Sequence, residues 1–310
     1  MIKIFKTANN LLVEQKNFSK GSWINAESPT EADLEKLEKL TGKLDEFEGF
    51  ITSLKDPDEQ ARVETENGAL LIVLRVPYIT KKGEESIYTT RPLGIIRMKD
   101  YLITISYFET GVLDRLTTQK IDTQHKIETI LNIFLIAARK YLYQLRQINR
   151  KTFLLQGELE DSTKNEDLLK LLSLEKSLVY FGTSLRTNNY VIHRLNLMRI
   201  FTKFEENKEL LEDVMIEFKQ ALEMTDTYSN IIETMRTGFE AVMSNNLNKV
   251  MKTLTSITLI LMLPTLVASV YGMNVNLPFQ NSPNAFAITM GISVLISLVG
   301  TAIFWRKELF

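Results

Sequence analysis

The chain has 310 residues, room for one large domain or two ordinary ones. Its 37 Lys and Arg nearly balance its 38 Asp and Glu, so nothing global suggests nucleic acid or an acidic polymer as partner. It has no cysteine, which excludes a disulfide framework, thiolate metal sites and thiol nucleophiles and fits a cytosol-facing protein. The near-neutral average hides an asymmetry: from Thr253 to Trp305 there is no Asp, Glu, Lys or Arg.

In chain order, the opening MIKIFKTANN has no long apolar run and is not a signal peptide. The stretch SPTEADLEKLEKLTG predicts a helix, with Ser28 as N-cap, Pro29 at its first position, Glu31 closing a capping box and Gly42 at its end. ALLIVLRVPYI, IYTTRPLGIIRM and YLITIS are short β-branched runs bounded by Gly, Pro or charge, and they predict strands of a sheet reaching Ser106. Between Leu93 and Leu263 there is no proline, and only Gly157, Gly182 and Gly238 interrupt the stretch after Val112, a strong helical signal. From about Leu210 one helix runs on into the uncharged region. Leu211, Val214, Phe218, Leu222 and Thr225 recur at three- and four-residue intervals along one of its faces. Rotation or tilt at its cytosolic end would be transmitted to the membrane.

The uncharged region divides into Leu254–Gly272 and Ala285–Trp305, each close to the ~20 residues a helix needs to cross a bilayer core. Pro278 and Pro283 lie between them. A buried soluble helix is the competing reading for each run, and two uncharged runs in succession weigh against it. Lys249 and Lys252 precede the first span, Arg306 and Lys307 follow the second, and the loop has no cation, which predicts cytoplasmic termini and an outer loop. The predicted fold class is an α/β N-terminal cytosolic domain (1–108), long helices ending in a stalk helix (109–252), and a two-span C-terminal transmembrane helical hairpin (253–310). Two spans enclose nothing, so a pore needs several copies in a ring within the lipid bilayer.

On the first span Asn248, Met251, Thr255, Thr258, Met262, Thr265, Ser269 and Gly272 share one face. Two readings stay open for this stripe. Small and hydroxyl residues permit close helix packing, with Ser and Thr bonding across. The same stripe can be a pore wall, in which rings of Met251, Leu254 and Met262 close by excluding water. Neither span carries an acid or a histidine, which argues against a proton relay or a dehydrated divalent site. Amide, hydroxyl and carbonyl oxygens suit a hard cation that keeps its water, such as Mg²⁺, and the carbonyl of Gly272 with Asn274 stands at the outer end for that role.

The tetrapeptide YGMN, Tyr271–Asn274, closes the first of two C-terminal spans, follows a long helix and precedes a short loop, a second span and a basic tail. In that setting the chain resembles the CorA family of magnesium transporters, whose signature is Gly-Met-Asn at this place. The resemblance implies a homopentamer with five first spans around one pore, and a selectivity ring at Gly272, Met273 and Asn274. Asn248, Met251, Leu254, Thr258, Met262 and Thr265 match pore-lining and gate positions. It further implies inhibition by cytosolic Mg²⁺ held between subunits, with Asp213 as one acid. The partner acid is open: where the family has one after the VLRVPY strand, this chain reads ITKKGEES, so Glu84, Glu85 or Thr80 stands there. The chain departs from most relatives in that its outer loop, VNLPFQNSPN, carries no acid.

The expected function is gated, potential-driven influx of hydrated Mg²⁺, with Co²⁺ and Ni²⁺ as surrogates. Zn²⁺ transport by the same architecture is the alternative, against which stand the missing cysteines and the presence of only His125 and His193. A membrane-anchored cation sensor that conducts nothing is the alternative from another class. No GxxxxGK[ST], GxSxG or HExxH motif is present, so neither an enzyme nor an ATP-driven pump is expected.

Overall fold

The structure, a computed structural model, describes residues 1–8, 11–42, 44–82, 85–117, 121–161, 165–279 and 282–306. It divides into two compact units, Met1–Met235 and Arg236–Phe310.

The first unit opens with β1 (Ile2–Ala8), β2 (Leu11–Gln15) and β3 (Trp23–Glu27), followed by α1 (Glu31–Thr41), a 3₁₀ turn (Leu44–Phe47) and α2 (Glu48–Ser53). Next come β4 (Arg62–Glu66), β5 (Ala69–Lys82), β6 (Glu85–Arg97) and β7 (Leu102–Ser106). The helices α3 (Val112–Leu116), α4 (Lys126–Asp161), α5 (Asn165–Leu197) and α6 (Arg199–Thr202) precede α7 (Glu205–Tyr271), whose first part belongs to this unit.

The seven strands form one sheet in the order β2-β1-β3-β7-β6-β5-β4. Every pairing is antiparallel except β3 with β7, where Trp23 faces Leu102 and Glu27 faces Ser106. The run ALLIVLRV reads as continuously apolar because β5 is buried on both faces. Leu70, Ile72, Leu74 and Val76 join one core with Phe134 and Tyr141 of α4, Phe181 of α5 and Phe218 of α7. Leu71 and Val73, pointing the other way at period two, join Leu37, Phe47, Phe50, Ile51 and Leu54. Asn67 and Gly68, both at positive φ, make the tight turn between β4 and β5 that the right-handed twist of paired strands favours.

The strands expected from ALLIVLRVPYI, IYTTRPLGIIRM and YLITIS are β5, β6 and β7, and the last of them ends at Ser106 as expected. One expectation is corrected. The N-cap of α1 is Thr30, not Ser28: Thr30 accepts from the amide of Asp33 while the Asp33 carboxylate accepts from the amide of Thr30. Ser28 sits at φ 43, outside the extended conformation an N-cap takes, so Pro29 precedes the cap instead of opening the helix. Gly42 ends the helix as expected, left-handed and donating to the carbonyl of Glu38.

Arg75 is buried beneath the β5–β6 ribbon with no carboxylate among its hydrogen-bond partners. Its Nε donates to Thr90 and Ser184, one terminal nitrogen to the carbonyls of Pro57 and Glu59, and the other to the carbonyl and hydroxyl of Thr90. Neutral acceptors thus take up the whole guanidinium fork, the condition under which a buried charge is tolerated. Asn188 of α5 and the Tyr141 hydroxyl bond the Arg75 backbone, tying the ribbon to α4 and α5. Burial pushes the Tyr141 hydroxyl's pKa well up.

Candidate functional site

The second unit holds the rest of α7 and α8 (Ala285–Arg306), and both helices are long and apolar enough to cross a membrane. They match the two spans expected from the uncharged region. Pro264 lies inside α7 and has no N–H to give the carbonyl of Ile260, so the helix lacks one bond in mid-span.

Burial divides the first span into two faces. Thr253, Ser256, Ile260, Leu263, Val267 and Tyr271 are buried or half-buried, spaced three and four apart. On this face α8 makes its close approach: a Cβ added at Gly300 would lie 2.8 Å from Leu263 Cδ1. Asn248, Met251, Thr255, Thr258, Met262, Thr265, Ser269 and Gly272 are all exposed. At 3.6 residues per turn the mean directions of the two sets are about 180° apart. The hydroxyl stripe therefore points away from the chain's own second span. This geometry removes only packing against the chain's own α8; packing against another helix and a pore wall both stay open.

The stripe's chemistry is set by how its hydroxyls bond. Thr258 donates to the carbonyl of Leu254 at 2.8 Å and Thr265 to that of Leu261 at 3.2 Å. With the proton committed to the preceding turn, each hydroxyl presents oxygen lone pairs outward. A hydrated cation turns its water hydrogens outward and needs acceptors, which is what these oxygens offer. Met251, Leu254 and Met262 are more than half exposed on or beside the same stripe and offer no ligand.

At the C-terminal end of α7, Gly272 donates to Ala268, Met273 to Val270 and Val275 to Met273, so the chain leaves the helix through consecutive tight turns. A Cβ at Gly272 would stand 3.3 Å from the Ala268 carbonyl, a crowded backbone that suits glycine. Met273 and Asn274 are exposed. The Tyr271 hydroxyl, which sequence reasoning passed over, reaches the Pro278 carbonyl at 3.4 Å.

Asp213 lies in the first unit, exposed on α7 between buried Leu211 and Val214. Among the described residues no three His, Asp or Glu side chains gather as metal ligands, around Asp213 or elsewhere. Thr80 is on β5 opposite Ile87. Glu84, Lys307 and the side chain of Glu85 lie outside what is described.

The profile of the family described as CorA-like Mg²⁺ transporter protein matches residues 19–307. The chain belongs to this family. Among relatives, the cobalt/magnesium transport protein CorA of Methanocaldococcus jannaschii is 29% identical over 296 residues, covering 92% of this chain and 90% of the relative. The magnesium transport protein CorA of Helicobacter pylori is 25% identical over 235 residues, covering 72% and 73%. The complete structure of the M. jannaschii CorA magnesium transporter superposes with a TM-score of 0.85 at 25% identity, covering 100% of this chain and 99% of that one. This CorA chain is therefore a membrane protein, a transporter and not an enzyme, and the α/β domain, long helices and two C-terminal spans expected from sequence are its fold.

Proposed function

We propose that the chain forms a gated, potential-driven pathway for uptake of hydrated Mg²⁺, with Co²⁺ and Ni²⁺ as further cargo, in a homopentamer whose five first spans line one pore. The observation that carries this is the opposition of the two faces. α8 covers one side of the first span and leaves the hydroxyl stripe exposed on the other, which supports a wall facing a pore that several copies would enclose. The relative named a cobalt/magnesium transport protein supports the choice of cargo.

In this reading both termini are cytoplasmic, and the division at 108/109 and 252/253 separates the sheet domain, the stalk and the membrane part. Asn274 and the Gly272 carbonyl, with the Met273 turn between them, accept hydrogen bonds from the ion's water shell at the outer mouth. Mg²⁺ sheds water reluctantly, so a ring of neutral acceptors holds it without stripping it. Below, Thr265 and Thr258 continue the acceptor line. Met262, Leu254 and Met251 form constrictions that interrupt conduction by drying when the ring narrows, and Asn248 lies at the inner end. The membrane potential drives the ion at ~4.6 kcal/mol per 100 mV for two charges. Cytosolic Mg²⁺ bridging Asp213 to an acid of a neighbouring copy holds the ring closed, because unbridged carboxylates repel.

The test is Mg²⁺ flux into proteoliposomes at a negative inside potential and low internal Mg²⁺. Wild type should conduct, and Asn274→Ala, correctly assembled, should not. Equal flux in both removes Asn274 from the selectivity ring. No flux in either directs the same assay to Zn²⁺, and failure there leaves the non-conducting sensor.

A further inference from the structure

The loop that carries the Gly-Met-Asn turn is tied back to α7 by a side-chain hydrogen bond and holds a strained residue just beyond it. Tyr271 belongs to the half-buried face of α7, on the side away from the hydroxyl stripe, so its side chain is not placed to touch a passing ion. Its hydroxyl donates instead to the Pro278 carbonyl, 3.4 Å away, closing a ring around residues 272–277. Phe279 follows immediately at φ 64. A bulky side chain in the left-handed region is an outlier, held there only when its surroundings insist on it. Ser282 donates back to the carbonyl of Phe279, so the strained residue is gripped from both sides.

We infer that Tyr271 is a positioning residue for selectivity. Through Pro278 it holds the strained loop in the one course that aims the Gly272 carbonyl and the Asn274 amide at the ion's water shell. The inference rests on the transport reading above and adds to it the residue that sets the ring's geometry. Nothing else in the loop can do this by charge, since the chain has no ionic side chain from Thr253 to Trp305.

The experiment measures Mg²⁺ flux against external Mg²⁺ for full-length wild type, Tyr271→Phe, Phe279→Gly and the double variant in proteoliposomes, each first checked for the same oligomer by size exclusion. Tyr271→Phe keeps the ring and loses only the donor. It should raise the half-saturating Mg²⁺ about three- to tenfold, the span expected for one hydrogen bond, with saturating flux within about twofold of wild type. Glycine takes φ 64 without strain. Phe279→Gly added to Tyr271→Phe should therefore bring the half-saturating value at least part of the way back. A Tyr271→Phe curve that overlays wild type overturns the inference. So does a fall in saturating flux alone, a loss of assembly, or a double variant no better than Tyr271→Phe. Absence of flux in wild type itself is a separate outcome: it removes the transport reading, and this inference with it.

Discussion

Gly94→Ala should destabilise the first unit, by an amount that can be worked from what stands over the residue. Gly94 lies in β6, paired with Val73 of β5 on one side and Ile105 of β7 on the other, so its backbone has no room to withdraw. A Cβ there would overlap Leu54 Cδ1 and stand 3.2 and 3.3 Å from its Cδ2 and Cγ. Leu54 is fully buried in the same core as Phe47, Phe50 and Ile51, so the whole side chain has to shift into occupied space. Overpacking of this kind costs about 1–3 kcal/mol. Alanine's smaller backbone entropy loss offsets ~0.5–1 kcal/mol of that. The balance is a loss of up to roughly 2.5 kcal/mol, or up to about 10 °C in melting temperature for a unit of this size. Thermal unfolding of the full chain in detergent measures it. A cycle with Leu54→Ala isolates the contact: that variant alone should lose about 2–5 kcal/mol, and the added methyl should then cost less than in wild type. A Gly94→Ala protein that melts at or above wild type, or strict additivity in the cycle, refutes the reasoning.

Two further stability predictions come from polar groups in the same unit, Arg75 buried and Glu27 half-buried. Arg75→Lys should cost on the order of 3 kcal/mol, because an ammonium with three donors cannot replace a fork that bonds Thr90, Ser184, Pro57 and Glu59 at once; a melting point unchanged from wild type would show the fork to be idle. Burial, then Asp114 and Glu109, raise the Glu27 carboxyl's pKa, so the folded state holds that proton more tightly than the unfolded chain. Stability from this group is accordingly lost as pH rises from the ordinary glutamate value through the raised one. Glu27→Gln should melt higher than wild type at pH 7, and the gap should close at pH 4 or below; a gap that persists in acid assigns the effect to something other than ionisation.

How far the sequence could be read depended on whether a feature was local. Fifty-three residues without a charge leave little choice but two spans, and α7 and α8 end where Leu254–Gly272 and Ala285–Trp305 end, within a residue. β5, β6 and β7 were legible because central strands are apolar on both faces and show as unbroken runs. β1, β2 and β3 were not: IKIFKTA interleaves lysines with its apolar residues, and of these only Ile4 and Phe5 are buried. The start of α1 was misplaced by two residues because Ser28 and Thr30 are equally good caps by type, and only the backbone angle separates them. Within the site, the stripe could be drawn from the 3.6-residue period, but not its partner. Which face α8 covers is decided by Gly300 meeting Leu263, two residues thirty-seven positions apart whose proximity no local pattern encodes. The Tyr271–Pro278 bond spans only seven residues, but it depends on the course of an irregular loop, which has no period to read.

That opposition of faces can be tested without any assumption about the ion. The chain has no cysteine, so single cysteines introduced along the first span report with no background. A thiol modifies through its thiolate, which forms where water reaches and not in hydrocarbon or in a packed helix contact. If the stripe lines an aqueous pathway, cysteines replacing Thr255, Thr258, Thr265 and Ser269 should react with a charged, membrane-impermeant reagent added on either side of reconstituted protein. Those replacing Ser256, Ile260, Leu263 and Val267 should stay unreactive. Exposed positions between the two sets, such as Ile257 and Leu259, should also stay unreactive, giving a period of 3.6 in the labelling and not a simple gradient with depth. Uniform protection of the whole span means that the stripe is packed against other copies or lipid, and a wet pathway must then be sought elsewhere. Labelling that peaks on the α8 side means that the two spans separate in the bilayer, and the assignment of faces is wrong. Periodic labelling centred on Thr258 and Thr265, deepened when cytosolic Mg²⁺ is withdrawn and reduced when it is restored, supports the proposed inhibition, and loss of that response in Asp213→Asn supports the proposed role of Asp213.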